Sequence, residues 1–272
     1  YKVPMSFMHR IMLTSDPALG RVGMITLDQG MLMEILIENL DQDAVSLLRN
    51  DRSHECEWCG VTCGENNEIV KIKWSSMGLE GHLNIKWVPP TAVKILLDAN
   101  KIFGTLDVAS LPIRIKKVDL SENRFNGEVQ LDRLPRELQF FDASTNKLSG
   151  TLNLGSLPVP LIHLLLSNNA FYGPIFLRQL PDGLKILDLG DNTLQGNLDL
   201  THLPVGLTQL YLHGNDFSGE TDFSQLSESL LFLDISNTRV RGSIIATRGI
   251  YFRAAATDIE IITPGYTVDY LE

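Results

Sequence analysis

The sequence predicts a repeat solenoid: one continuous core built by stacking near-identical coils, with a parallel β-sheet on the concave face, a mostly irregular convex side and a helical amino-terminal cap. Three observations carry the prediction. An asparagine or its stand-in falls at Met77, Asn100, Asn123, Asn146, Asn169, Asn192, Asn215 and Thr238, each step 23 residues long, and self-similarity at a fixed period of roughly 20–50 residues marks repeat architectures. A glycine follows four residues later in all eight copies: Gly81, Gly104, Gly127, Gly150, Gly173, Gly196, Gly219 and Gly242. Apolar residues sit three, five and eight positions before the asparagine, as in Leu189, Leu187 and Leu184. The alternation is that of a short strand with one buried face.

Each column has a physical reason. Where a coil bends inward, buried backbone N–H and C=O groups need partners, and a side-chain amide supplies both donor and acceptor. Asn100, Asn123, Asn146, Asn169, Asn192 and Asn215 are therefore expected to stack as a hydrogen-bonded ladder inside the solenoid. The glycine marks a backbone conformation, or an approach to the neighbouring coil, that a Cβ would obstruct. An apolar-x-apolar-x-x-Leu-Pro segment follows, as in Leu198 to Pro204, and proline suits it only if that flank is extended or turning. Met77, Ala143, Thr221 and Ser227 break their columns. Terminal coils lack a neighbour on one side and are expected to be irregular, which leaves Ala143 without a reason.

These columns resemble the leucine-rich repeat family, in the LxxLxLxxNxLxGxL form of plant receptor ectodomains and polygalacturonase-inhibiting proteins, from Ile69 to about Ile244. The shorter LDLTHLP convex segment is more similar to repeats of protist proteins, including trypanosomatid surface antigens. Ahead of the repeats, the run Cys56 to Cys63, CEWCGVTC, resembles the CxWxGVxC signature of the plant-type amino-terminal cap. The resemblance implies a Cys56–Cys63 disulfide with Trp58 packed on the first strand. Cys59 is then left over, as a free thiol or an intermolecular partner. The residues themselves leave two other readings open: three reduced thiols, or a metal held by His54, Cys56, Cys59 and Cys63. Structural zinc draws its ligands from two separated pairs, and these four are crowded, so no metal is expected.

Four regions follow: an arm over residues 1–27, a helical and cysteine-containing cap over 28–68, the solenoid over 69–244, and a carboxy-terminal cap and tail over 245–272. The arm holds Met5, Phe7, Met8, Ile11, Met12 and Leu13, soft side chains suited to covering the open end of the core or to docking on a partner. Asp28 caps a predicted helix holding Met31, Leu32, Ile35, Leu36 and Leu40, and Asp41 a second holding Ala44, Val45, Leu47 and Leu48. Beyond Gly242 the register fails; Ile259 to Ile262 read as a last edge strand ended by Pro264 and Gly265, with Phe252, Tyr266 and Tyr270 packing on the final coil.

A net charge of −10 over 272 residues argues against nucleic acid as a general partner. The charge is uneven: residues 69–117 carry 8 basic and 3 acidic side chains, against 10 and 19 over 118–272. No run approaches the roughly 18 apolar residues of a membrane span. The chain opens on Tyr1, so compartment is not read from its ends. A disulfide favours secretion or the cell surface, while 16 asparagines without one Asn-x-Ser/Thr acceptor weaken that reading and keep an organelle or an intracellular complex open.

Strand positions six before each asparagine are Lys71, Lys94, Lys117, Phe140, His163, Ile186, Gln209 and Phe232; four before are Lys73, Leu96, Asp119, Asp142, Leu165, Asp188, Tyr211 and Asp234. These point away from the core. Phe140, His163, Leu165, Ile186, Tyr211 and Phe232 therefore form a candidate surface for another protein, since aromatic anchors carry most interface energy. Lys71, Lys73, Lys94 and Lys117 gather at one end, as a solvated face or a seat for an acidic partner. No phosphate-binding glycine loop, HExxH or nucleophile elbow is present, and His163 and His213 read as too isolated to act as bases. The sequence thus predicts no enzyme and no cofactor. It predicts a module that binds a protein on its concave strands, with a scaffold subunit of a larger assembly as the second reading and a secreted enzyme inhibitor as the third.

Overall fold

The structure is a computed structural model describing residues 27–49, 54–245 and 250–262; the arm proposed over residues 1–27, apart from Leu27 itself, and Pro264, Gly265, Tyr266 and Tyr270 lie outside the described residues. Helix α1 (Gln29–Ile37) is capped by Asp28, whose Oδ1 accepts from Met31 N–H at 2.8 Å. Helix α2 (Gln42–Arg49) starts at Asp41, whose Oδ1 accepts from Ala44 N–H at 2.6 Å. The first buries Leu32, Met33, Leu36 and Ile37, the second Ala44 and Leu48. One expectation is corrected here: Leu40 lies past the end of α1, bridged to Gly81; Met31 and Leu47 lie in their helices as expected, on the side that faces solvent. An apolar residue at the wrong angle on a short helix cannot reach the coil it caps.

Cys56 and Cys63 are joined, and Cys59 is a free, exposed thiol. Trp58 is buried in the core at this end, and Trp74 donates its indole N–H to Cys59 O at 2.7 Å. The disulfide closes the loop into the strand Val61–Cys63, which pairs antiparallel with Ile69–Lys73 and so starts the first sheet.

From there every coil repeats one path. A first sheet of ten strands runs from Val61–Cys63 through Lys94–Leu96, Lys117–Asp119, Phe140–Asp142, His163–Leu165, Ile186–Asp188, Gln209–Tyr211 and Phe232–Asp234 to Tyr251–Arg253. A second sheet of nine strands begins after each asparagine turn, from Glu80–His82 and Lys101–Thr105 to Arg239–Ile245 and Asp258–Ile262. Single 3-10 turns such as Val108–Ser110 and Leu154–Ser156 cross the convex side, where Asp107 and Asn153 cap them. Between the sheets lies one core: in a single coil Leu184, Leu187, Leu189, Leu194, Leu198 and Leu200 are all buried. Truncating any one to alanine is expected to cost about 2–5 kcal/mol.

Ala143 is fully buried, two residues from Phe141, which is also fully buried in a column otherwise held by Ile, Val and Leu. Thr221, in an apolar column, is buried with its hydroxyl donating to Leu198 O at 3.4 Å.

Winding outlasts the 23-residue period. Phe232, Leu233 and Asp234 pair with Tyr251, Phe252 and Arg253, a step of 19 residues, and Arg241–Ile245 pairs with Asp258–Ile262. About nine turns stack instead of eight. Strand pairing needs only register and length, so a shorter connection can close a coil that the period does not announce.

Candidate functional site

Two hydrogen-bonded devices hold the concave face rigid. Asn192 shows the first: its Nδ2 lies 3.1 Å from Leu166 O and Leu189 O and 3.0 Å from Gly190 O, while its Oδ1 accepts from Phe171 N–H of the preceding coil at 3.0 Å. The same pattern is made by Asn123, Asn146, Asn169 and Asn215. At the amino end Asn100 accepts from both Met77 and Leu79 N–H, at 3.1 and 2.9 Å, which serves the bend of a coil that has methionine in place of asparagine. At the other end Thr238 donates to Ile235 O at 2.7 Å.

The residue before each of these turns is left-handed: Ser76, Ala99, Glu122, Thr145, Asn168, Asp191 and Asn237 all have φ between 50° and 55°, with Gly214 at 62° in the remaining coil. That conformation disfavours a Cβ by about 1–2 kcal/mol, so the ladder offsets a recurring local cost. Residue types as different as Glu and Ala fill this position, and for that reason the column escaped the sequence reading. The glycine column is left-handed too; at Gly104, φ 114°, a Cβ would come within 2.2 Å of His82.

The second device is a serine collar. Ser121, Ser144 and Ser236 donate both backbone N–H and hydroxyl to Asp119, Asp142 and Asp234 two residues earlier, and Ser167 reaches Asp188 of the next coil at 2.9 Å. Burial pushes the Asp142 carboxyl above its ordinary range, opposed by the Ser144 hydrogen bonds and reinforced by Asp119 and Asp188.

On this frame, strand register sets one column as Lys71, Lys94, Lys117, Phe140, His163, Ile186, Gln209, Phe232 and Tyr251. The neighbouring column is Lys73, Leu96, Asp119, Asp142, Leu165, Asp188, Tyr211, Asp234 and Arg253. Lys73 and Lys94 are exposed; Lys71, Lys117, Phe140, His163, Leu165, Ile186, Tyr211 and Phe232 are half-buried. The Tyr211 and Phe232 ring centroids lie 4.9 Å apart, and Phe140 and His163 meet edge-on at 5.6 Å. Lys117 Nζ sits 3.9 Å over the Phe140 ring. Burial lowers the His163 pKa, helped by Lys117 and Lys185. Burial raises the Tyr211 pKa, with Asp188 and Asp234 adding to the shift and Arg253 opposing it.

His213 is not isolated, contrary to the expectation from sequence. Its Nε2 lies 3.4 Å from Asp191 and its Nδ1 3.7 Å from Asp234, because carboxylates 22 residues before and 21 after it stack on either side. Neither distance is a hydrogen bond, and Nδ1 is buried without a partner among the described residues. Arg253, 3.9 Å from Asp234 and over Phe232 at 5.8 Å, also belongs to this end of the face. Only the 19-residue step brings it there.

The most exposed apolar side chains lie off this face. Ile113, Val159 and Val205 form a convex column just after the Leu-Pro pairs, 69%, 83% and 76% exposed. Arg136 and Asp182 interrupt it, so it makes no continuous patch. No helix among the described residues is long and apolar enough to cross a membrane, and no group of three or more His, Cys, Asp or Glu side chains among them is placed to hold a metal ion.

No family model matches the chain. A 102-residue stretch, 35% of the chain, is 28% identical to the leucine-rich repeat receptor-like serine/threonine-protein kinase RGI4 of Arabidopsis thaliana and spans 9% of it. Among solved structures, Pollen Receptor Kinase 3 is 30% identical over 60% of this chain and 82% of that one, with a TM-score of 0.50. The plant peptide hormone receptor RGFR1, solved in complex with RGF2, is 23% identical over 64% of this chain and 30% of that one, TM-score 0.55. A plant ice-binding protein is 20% identical over 85% of this chain and 87% of that one, TM-score 0.61. The chain belongs to the leucine-rich repeat proteins. Its repeats are of the plant-receptor-like type, and it spans 9% of the length of the curated relative it matches and 30% of RGFR1.

Proposed function

We propose that the protein is a non-catalytic recognition module that binds a segment of another protein along its concave strands. One observation carries the reading: the half-buried row of Phe140, His163, Ile186, Tyr211 and Phe232 lies on a face whose backbone is fixed from coil to coil. A rigid face loses little conformational entropy on association, and aromatic anchors flanked by carboxylates suit interface energetics. The receptor RGFR1, solved with RGF2, is a repeat protein of similar fold with a peptide partner. A Cys56–Cys63 disulfide favours an oxidising compartment over a scaffold subunit inside a cell.

Peptides enriched on the intact chain from a displayed library of random linear sequences test this. Those peptides are expected to lose binding to the Tyr211→Ala, Phe232→Ala double variant and to the Phe140→Ala, Ile186→Ala double variant, both with near-native thermal unfolding. Undiminished binding to both variants would place the partner on another surface.

A further inference from the structure

Lys71, Lys94 and Lys117 are directly paired across three adjacent parallel strands, which sets them about 4.8 Å apart along a ladder of roughly 10 Å. Like charges facing each other across strands destabilise a sheet. Elsewhere the molecule places cations against carboxylates: Lys101 and Arg124 share Glu80, Arg239 meets Asp216, and Arg178 meets Asp199. Among the described residues, none of the three ladder lysines, nor the exposed Lys73, has a carboxylate at ion-pair distance. Lys117 is instead turned onto the Phe140 ring, where the ladder passes without a break into the apolar row.

The neighbouring column limits the length of any anion. From Asp119 onward it carries Asp142, Asp188 and Asp234, so a long polyanion laid across the sheet would meet four carboxylates. A short acidic cluster would not. Lys71 to Ile186 is five strand steps, about 24 Å, the length of roughly seven extended residues.

We infer that the lysine ladder receives a short acidic cluster of an extended polypeptide whose next apolar side chains rest on Phe140, His163 and Ile186. This rests on the recognition reading above and names the chemistry of the partner. It also accounts for the uncompensated repulsion among the lysines, which the ligand's carboxylates relieve.

Peptides enriched on the intact chain are the probe. They are expected to carry Asp or Glu clusters followed within about seven residues by an apolar side chain. Lys94→Glu should weaken them about tenfold or more while leaving the unfolding midpoint unchanged or raised, since it relieves the repulsion. Enriched peptides without acidic clusters, or indifferent to Lys94→Glu, overturn the inference; if they still depend on Tyr211 and Phe232, the recognition reading stands. Heparin or a DNA oligonucleotide competing as tightly as the peptides would reassign the ladder to polyanions in general and overturn it. Peptides insensitive to every concave substitution overturn both.

Discussion

His213 lies against Gly190 of the preceding coil, where a Cβ would come within 2.3 Å of the imidazole ring. Most other coils carry serine at the Gly190 position. The missing side chain is the space in which the ring sits between Asp191 and Asp234. Because Gly190 is not left-handed and the ring can swing outward, Gly190→Ser is expected to leave the fold within about 1 kcal/mol of native and to expel His213. Faster carbethoxylation of His213 checks this; an unchanged rate would show that the ring keeps its place.

Asn192→Ala removes a group that serves two coils: Phe171 N–H loses its acceptor, while the carbonyls of Leu166 and Leu189 each lose one of two amide donors and keep Asn169 and Asn215. Each unsatisfied buried group costs about 1–3 kcal/mol. Urea unfolding should show a loss of about 1–3 kcal/mol, larger than for Asn146→Ala, whose side chain is only half-buried.

Native protein should take up one equivalent of a thiol reagent, at Cys59, and three after reduction. Replacing Cys56 and Cys63 by serine should cost about 2–4 kcal/mol. Uptake of three equivalents without reductant would contradict the bridge.

His163 titrates below its ordinary value of 6.5, through burial first and then Lys117 and Lys185. The unfolded chain therefore takes up a proton that the folded one refuses, and stability contributed by this residue is lost as pH falls through 6.5. In Lys117→Gln the NMR-detected midpoint of His163 should rise toward 6.5.

Asp142 has the opposite linkage. Its carboxyl is raised above 3.8 by burial, so the folded state holds the proton longer than the unfolded chain, and stability falls as pH rises from 3.8 through the folded value. Asp142→Asn, which still accepts from Ser144 at both N–H and hydroxyl, should melt higher than the native protein at pH 7. The advantage should vanish near pH 3.

Much of this was legible from spacing. A step of 23 residues and the glycine four places on placed Asn192 at a turn and Leu187 in a strand, because each coil meets the same neighbours and repeats the same demands. Columns defined by conformation left no such trace. Asp191 and Ala99 share a left-handed backbone with no shared side-chain chemistry, so the carboxylate that faces His213 was not located. A second sheet follows the asparagine turns, yet its outward residues run from Lys101 to Thr193 to Asp216 without a periodic face to announce it.

The sequence by itself determined the winding, the inward asparagines and which strand positions face outward, since these depend on contacts that recur at one interval. The tertiary structure alone decided what those outward residues meet: Lys117 on Phe140, Tyr211 on Phe232, and Arg253 at the end of the row by way of a shortened coil. Rotamers and a non-periodic turn set those contacts, and they are settled only when neighbouring coils pack.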